Sequence, residues 1–349
     1  MSKRQLPRFY TGLLVPDYED FASPPYRGKN WFVDLIPGDR SLGNQPNQGG
    51  VDRYGNSYWR RNPEVVISAP SQVIAQRAIE LTLAADAVFN GSAYGGYGPA
   101  AWSGGPYIIT EARLKEHLQK ADVEPGYHRP FSQYMNMPWA CMIAAKASYR
   151  MRHMYAIQKW ELSASTFSTH VGELDPMRRR TIPKSQALSD HVKYATAIIL
   201  AYSVVEELGF EIRASNQQPS AIHGKWNPPV LEELERRLKA GKINLDETFV
   251  WNLRGSKTVL ERDKPKHMKI AYVKSPWSRY DVRDREIHVV DALAWASWLR
   301  SRVSSHKLKA EYVSRLSVYD VANVQDLARR LILETLGFWR NHPNMVPPD

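Results

Sequence analysis

The sequence predicts a mainly α-helical protein, a helical bundle with irregular decoration. Two observations carry that expectation. Apolar residues recur at three- and four-residue spacing in several windows long enough for helices. Serine, glycine and proline stand at the window edges, where helices start and stop. From Met1 to about Pro63 no long helical period occurs. Turn signals such as Pro37-Gly38-Asp39 and Asn47-Gln48-Gly49-Gly50 predict an irregular arm, whose Phe9, Tyr10, Trp31 and Phe32 must bury against the rest of the protein. Ser71 to Phe89 reads as a helix behind a serine cap, with Ile74, Ala78, Leu81, Ala85 and Val88 on one face. Asn90 to Gly105 is a glycine-rich loop, and Glu111 to Lys120 a short helix ending before Pro125.

The second half is more strongly helical. Pro138 to about Thr169 reads as one long helix with an apolar stripe of Ile143, Ala147, Met151, Met154, Ile157 and Leu162, ended by Pro176 and the cluster Arg178, Arg179, Arg180. Ser189 to Phe210 is a second long helix with Ile198, Ile199, Tyr202, Val205 and Leu208 inward, and Gly209 stands where a glycine stop is expected. Pro228 to Ala240 is a short charged helix, Phe249 to Asp284 a basic, irregular or hairpin-like insertion, and about Ile287 to Arg302 and Val318 to Phe338 the closing helices. There is no internal repeat. The expected organisation is an N-terminal region over 1–130, irregular arm plus helix, and a helical domain over 131–349 with an insertion at about 213–286.

Charge and cysteine content narrow the partners. A chain of 349 residues with a formal charge of +11 has enough length for real cores and favours a polyanion, of which nucleic acid is the commonest. The lone cysteine, Cys141, excludes an intrachain disulfide and a multi-cysteine zinc site, and fits a reducing cytoplasm. Ala87 to Thr110 is free of charge, but glycines and prolines break it, and Tyr194 to Val205 is too short to span a bilayer. Met1 to Tyr10 lacks the apolar core of a signal peptide. The expectation is a cytoplasmic protein with no membrane partner and no cofactor.

The residues that could carry chemistry lie mainly between Val289 and Leu336. An apolar helix ends in Arg300, Ser301 and Arg302, a polar stretch holds Ser305 and His306, and Leu316-Ser-Val-Tyr-Asp320 followed by Leu327-Ala-Arg-Arg-Leu331 opens and continues another amphipathic helix. This layout resembles the HEPN superfamily of all-helical domains, whose hallmark is an arginine, four to six residues and a histidine near the junction preceding the last main helix. Here Arg300 and His306 are separated by five residues, and the resemblance covers about residues 140 to 340. The residue after the arginine, often Asn, Asp or His in the family, is Ser301, and the glycine that often follows the histidine is Lys307.

The resemblance implies a metal-independent endoribonuclease acting on RNA as a homodimer, in stress response or anti-phage defence and with a possible partner protein of such a system. It also implies the alternative, a catalytically silent nucleic-acid-binding, nucleotide-binding or scaffold module. Such cleavage uses the RNA's own 2′-hydroxyl, which calls for proton transfer and for stabilisation of a more negative transition state. Histidine titrates near neutrality and arginine holds phosphate as a permanent cation, so His306 takes the proton-transfer role and Arg300 the phosphate role. Six residues on an unbroken helix turn through about 600° and leave the two side chains apart. The helix must therefore bend or stop between them, and since an unbroken helix would pair Arg302, four residues before His306, with it instead, Arg302 is kept as a second phosphate contact.

Weaker constellations complete the list. Lys146, Arg150 and His153 fall at i, i+4 and i+7, so one helix presents a basic stripe that could track phosphates. Ser301 and Ser305 could supply the polar role beside the motif. In domains of the resembled family an acidic residue on a comparable helix can approach the motif; here Glu206 and Glu207 are the candidates, and the sequence does not choose between them. Tyr58-Trp59-Arg60-Arg61 combines rings and charge in too short a run. The run Gly91 to Gly98 lacks the strand before it and the Gly-Lys-Ser/Thr ending of a phosphate loop. Metal-ligand spacing is missing around His191, His223, His267 and His288, and HExxH and GxSxG do not occur.

Overall fold

A computed structural model describes residues 6–14, 26–36, 64–91, 108–110, 112–113, 116, 132–133, 137–167, 188–222, 225–251, 271–274, 283–304, 316 and 318–339. The described residues are rich in helix, with small sheets. They divide into two compact units, 1–90 with 94–154, and 91–93 with 155–349. The expected boundary at 130 thus falls inside the first unit.

The first unit holds a sheet where the sequence suggested an irregular arm. Strands β1 (Arg8–Leu14), β2 (Tyr26–Arg27), β3 (Phe32–Ile36), β4 (Glu64–Ser68) and β5 (Ile109–Thr110) run in the order β2-β3-β4-β1-β5, and β6 (Ser132–Gln133) pairs with β1 in parallel. β4 is central. Val65, Val66 and Ile67 are all buried, so it reads as a continuous apolar run instead of an alternating one. It pairs antiparallel with β3, Phe32 opposite Ser68 and Ile36 opposite Glu64, and with β1, Arg8 opposite Ser68. The register with β1 slips between Tyr10 and Leu14. There the Thr11 hydroxyl donates to the Val65 carbonyl at 2.7 Å and accepts from the Leu13 amide at 3.1 Å, satisfying groups that the slip leaves over. Phe9, Tyr10 and Trp31 are buried, as their size requires.

Two helices complete this unit. Helix α1 (Gln72–Asn90) starts at Ser71, whose side chain accepts from the Ile74 amide at 3.4 Å, and stops at Gly91, which takes a positive φ of 69°. Helix α2 (Met137–Ala147) carries Pro138 in its first turn and buries Ala140, Cys141, Ala144, Ala145 and Ala147. Its alanines admit close approach to α1. Phe89 and Trp139 stack at 5.7 Å between ring centroids across the pair.

Helix α3 (Met151–Thr166) corrects the sequence reading of one long helix over Pro138 to Thr169. Ser148 makes the break. Its hydroxyl donates back to the Ala145 carbonyl at 2.7 Å and accepts from the Lys29 amide at 2.8 Å, while the Arg150 carbonyl opens the next helix by accepting from His153 and Met154. Two members of the supposed apolar stripe, Met151 and Leu162, are accordingly exposed.

The second unit is a helical assembly around large side chains. It contains the later part of α3, then α4 (Leu188–Leu208), α5 (Pro228–Ala240), α6 (Val289–Trp298) and α7 (Val318–Leu336). Trp160, Ile157, Ile198, Leu234 and Trp295 are fully buried. A polar layer crosses the core: Trp160 donates to the Gln325 carbonyl at 2.8 Å, the Gln325 amide to Ser163 Oγ at 3.0 Å, and Ser163 to the Ala197 carbonyl at 2.7 Å. This layer registers α3, α4 and α7 against one another. Gly209, at φ 80°, ends α4, and Arg237 from α5 donates to the Gly209 and Glu211 carbonyls just beyond.

The basic insertion contributes order. β9 (Thr248–Trp251), β10 (Ala271–Lys274) and β11 (Arg283–His288) form an antiparallel sheet in the order β10-β11-β9, and β7 (Ala221–Ile222) pairs with β8 (Lys225–Trp226). Trp251 meets Trp295 of α6 edge-on at 5.7 Å. The sheet edge is tied to α7 through Arg330, whose guanidinium donates to the Thr248 carbonyl at 3.1 Å and lies 4.0 Å from the Phe249 ring centroid.

Candidate functional site

Helix α6 does not simply end at Trp298. It passes into a turn of π-helix over Leu299–Ser304, so the backbone widens at the arginine pair. The turn stays helical through Ser304, and His306 lies beyond the described residues. Leu299 is fully buried and anchors the turn.

Arg300 reaches from that turn to helix α4. Its Nη2 stands 3.1 Å from Glu206 Oε1, and its guanidinium carbon lies 5.9 Å from the centroid of the Tyr202 ring. Both charged side chains are near 40% exposed, so the pair is accessible to a ligand. Tyr202 is buried, which raises its hydroxyl's pKa above the usual phenol value; hydrogen bonds with Ser297 and the Ile212 backbone and the nearby Arg300 oppose that shift. The tyrosine is therefore a neutral platform under the guanidinium. Glu207, one residue on, turns to Lys159 at 2.6 Å. Of the two carboxylates the sequence left open, Glu206 meets Arg300 and Glu207 is held by another helix.

Ser301 is half-buried in the same turn, its hydroxyl 3.5 Å from the Trp298 carbonyl. The backbone of Arg302 belongs to the π-helical turn. Ser305 and His306 lie outside the described residues, as do Tyr58-Trp59-Arg60-Arg61 and the glycine run after Gly91.

The basic stripe predicted from Lys146, Arg150 and His153 does not form on one helix. Lys146 lies in the last turn of α2, Arg150 in the break after Ser148, and His153 in the first turn of α3. Lys146 and Arg150 are exposed, but His153 is only 7% exposed. Burial first, and the neighbouring Arg152 and Arg150 second, push its pKa down to about 4, so it is neutral at pH 7 and contributes no charge to a phosphate track. The physical cause is Ser148, which breaks the helix without any glycine or proline. Arg152, next to that histidine and exposed, was missed by the i, i+4, i+7 pattern. His191 is likewise buried, and burial lowers its pKa.

Among the described residues no group of three or more His, Cys, Asp or Glu side chains could hold a metal, and no helix is long and apolar enough to cross a membrane. No family model, curated protein or solved structure matches the chain. The HEPN resemblance therefore stands on the motif residues themselves.

Proposed function

We propose that the chain is a metal-independent endoribonuclease of HEPN type, a cytoplasmic homodimer that cleaves RNA in stress response or anti-phage defence. One observation supports it above the others. At the helix junction that carries the Arg-x5-His motif, Arg300 is half-exposed, backed by a neutral tyrosine and paired with a half-exposed carboxylate. An ion pair of that exposure contributes only about 0–1 kcal/mol, so a phosphate can displace Glu206 at small cost. In this reading Arg300 binds the scissile phosphate, with Arg302 as a second contact. His306 moves the proton between the 2′-hydroxyl and the leaving 5′-oxygen, and the products carry a 2′,3′-cyclic phosphate and a 5′-hydroxyl.

A second reading is a catalytically silent binding or scaffold module. It is favoured by the same pair read the other way, since Glu206 already neutralises Arg300. Incubation of the purified chain with labelled RNA in excess EDTA separates the two. The nuclease reading expects cleavage with cyclic phosphate ends that His306→Ala and Arg300→Ala both abolish. Binding without cleavage across a panel of RNAs selects the silent module, and cleavage that survives both substitutions overturns the assignment of the motif.

A further inference from the structure

The break between α2 and α3 builds a surface that the Arg-x5-His motif does not use. Arg27 and Lys29, from the β2–β3 hairpin, are exposed, and so are Tyr149 and Arg150 from the helix break and Arg152 from the first turn of α3. They are held together by backbone-directed bonds. The Lys29 amide donates to Ser148 Oγ at 2.8 Å, and the Tyr149 hydroxyl donates to the Arg27 carbonyl at 3.4 Å. The hairpin itself is closed by Gly28, whose amide donates to the Trp31 carbonyl at 2.9 Å and whose missing side chain leaves room for the Trp31 indole. All of these residues belong to the first unit.

Its chemistry is one-sided. No Asp or Glu occurs from Tyr26 to Phe32, nor anywhere from Pro125 to Trp160. Tyr149 is 58% exposed, with Met151 at 65%; Arg150 and Arg152 follow it in the chain, and backbone bonds bring Arg27 and Lys29 to Tyr149 and Ser148. The titratable group beneath, His153, is neutral and adds no charge. An exposed tyrosine near arginines and a lysine offers a ring on which a base can stack and cations that can contact phosphates. A duplex hides its base faces in the stack, so the exposed ring favours a single strand.

We propose that Arg27, Lys29, Tyr149, Arg150 and Arg152 form a binding surface for single-stranded nucleic acid. This surface acts independently of the Arg300 motif in the second unit, and its existence does not depend on that motif being catalytic. Tyr149 stacks on a base, and the four cations contact successive phosphates. Binding is sequence-tolerant and salt-dependent, because neither element reads a base edge.

The test uses the full chain in EDTA and a fluorescent 2′-O-methyl oligouridine, which lacks the free hydroxyl that the proposed cleavage needs. Anisotropy titrations over a range of salt compare wild type with Tyr149→Ala, Tyr149→Phe, the double variant Arg150→Ala/Arg152→Ala, and Arg300→Ala. Expected are about tenfold weaker binding for Tyr149→Ala and near-wild-type binding for Tyr149→Phe, which keeps the ring. The double variant is expected to reduce the salt slope by about 1.4, two phosphate contacts at about 0.7 each. Arg300→Ala keeps at least part of the binding, and its loss of cleavage is scored separately on unmodified RNA. Circular dichroism and melting confirm that each variant is folded. The proposal is overturned if wild type does not bind, or if the folded Tyr149 and Arg150/Arg152 variants bind like wild type. It is also overturned if these substitutions abolish binding to phosphatidylserine vesicles while leaving the oligonucleotide unaffected, which would assign the surface to a membrane.

Discussion

Arg300 and Glu206 meet across two helices at 3.1 Å, each about 40% exposed, beside the turn where α6 leaves regular α-helical geometry. The contact fixes the direction of the guanidinium without committing its charge, because solvent screens a pair this open.

Glu206→Gln therefore tests whether the carboxylate competes with RNA. The amide keeps the shape and removes the charge, so RNA binding through Arg300 should tighten about threefold. The melting temperature should shift by no more than a few degrees, as expected for losing an exposed pair. Titration with 2′-O-methyl RNA and a melting curve measure both. Loss of cleavage with unchanged affinity would instead make Glu206 a positioning residue for the reaction.

Arg330 is the opposite electrostatic case. It is 4% exposed, 2.6 Å from Glu334 and 2.8 Å from Glu247, and Glu334 in turn accepts from the Asn244 amide at 3.0 Å. Arg330→Ala strands two carboxylates around a site they cannot leave. The expected loss is about 3–5 kcal/mol, read from urea unfolding. Arg236, exposed and paired with Glu233 on one helix face, is the control: Arg236→Ala should leave the urea midpoint close to that of wild type. Similar losses for both would show that the Arg330 network is no stronger than a surface pair.

Residue pattern revealed the helices better than it revealed their interruptions. α1, α4, α5 and α7 announced themselves through spacing and caps, and Gly209 stops α4 where a glycine was expected. The sheet of the first unit was hidden, because its strands are short, separated by turn-rich sequence, and centred on β4, whose two buried faces remove the alternation that marks a strand. The break at Ser148 was hidden for a different reason. It depends on a bond from Lys29, distant in sequence, and no local rule contains that partner. The same blindness affected the candidate sites: which glutamate faces Arg300, and that His153 is buried, are facts of tertiary packing.

Gly28 sits where space, not backbone angle, selects glycine. A Cβ there would stand 2.5 Å from Trp31 Cε2, and Trp31 is buried, so the indole has nowhere cheap to go. Gly28→Ala should destabilise the first unit by about 1–3 kcal/mol, the usual cost of overpacking. It should also weaken oligonucleotide binding by displacing Arg27 and Lys29. A melting curve unchanged from wild type would mean that the hairpin yields freely.

Two buried titratable groups in the first unit give its stability opposing pH slopes. Asp86 on α1 is 2% exposed, and burial raises its pKa to about 7, while an Asn90 hydrogen bond acts weakly the other way. A raised folded-state pKa means that the native state holds a proton which the unfolded state has released. Stability from this group is full below about pH 4 and is lost as pH rises through about 7. His153 has its pKa lowered from 6.5 to about 4, so its contribution is present above about pH 6.5 and is lost as pH falls through about 4. Between pH 4.5 and about 6 the two slopes nearly cancel, and the wild-type contribution of the pair is flat there. Asp86→Asn should unmask the histidine, leaving a stability that rises with pH up to about 6.5. His153→Gln should unmask the carboxyl, leaving one that falls from about pH 4 to 7. Urea unfolding across this range, for the two variants and wild type, checks the signs. Parallel pH profiles in all three proteins would show that neither group is held in its disfavoured protonation state by burial.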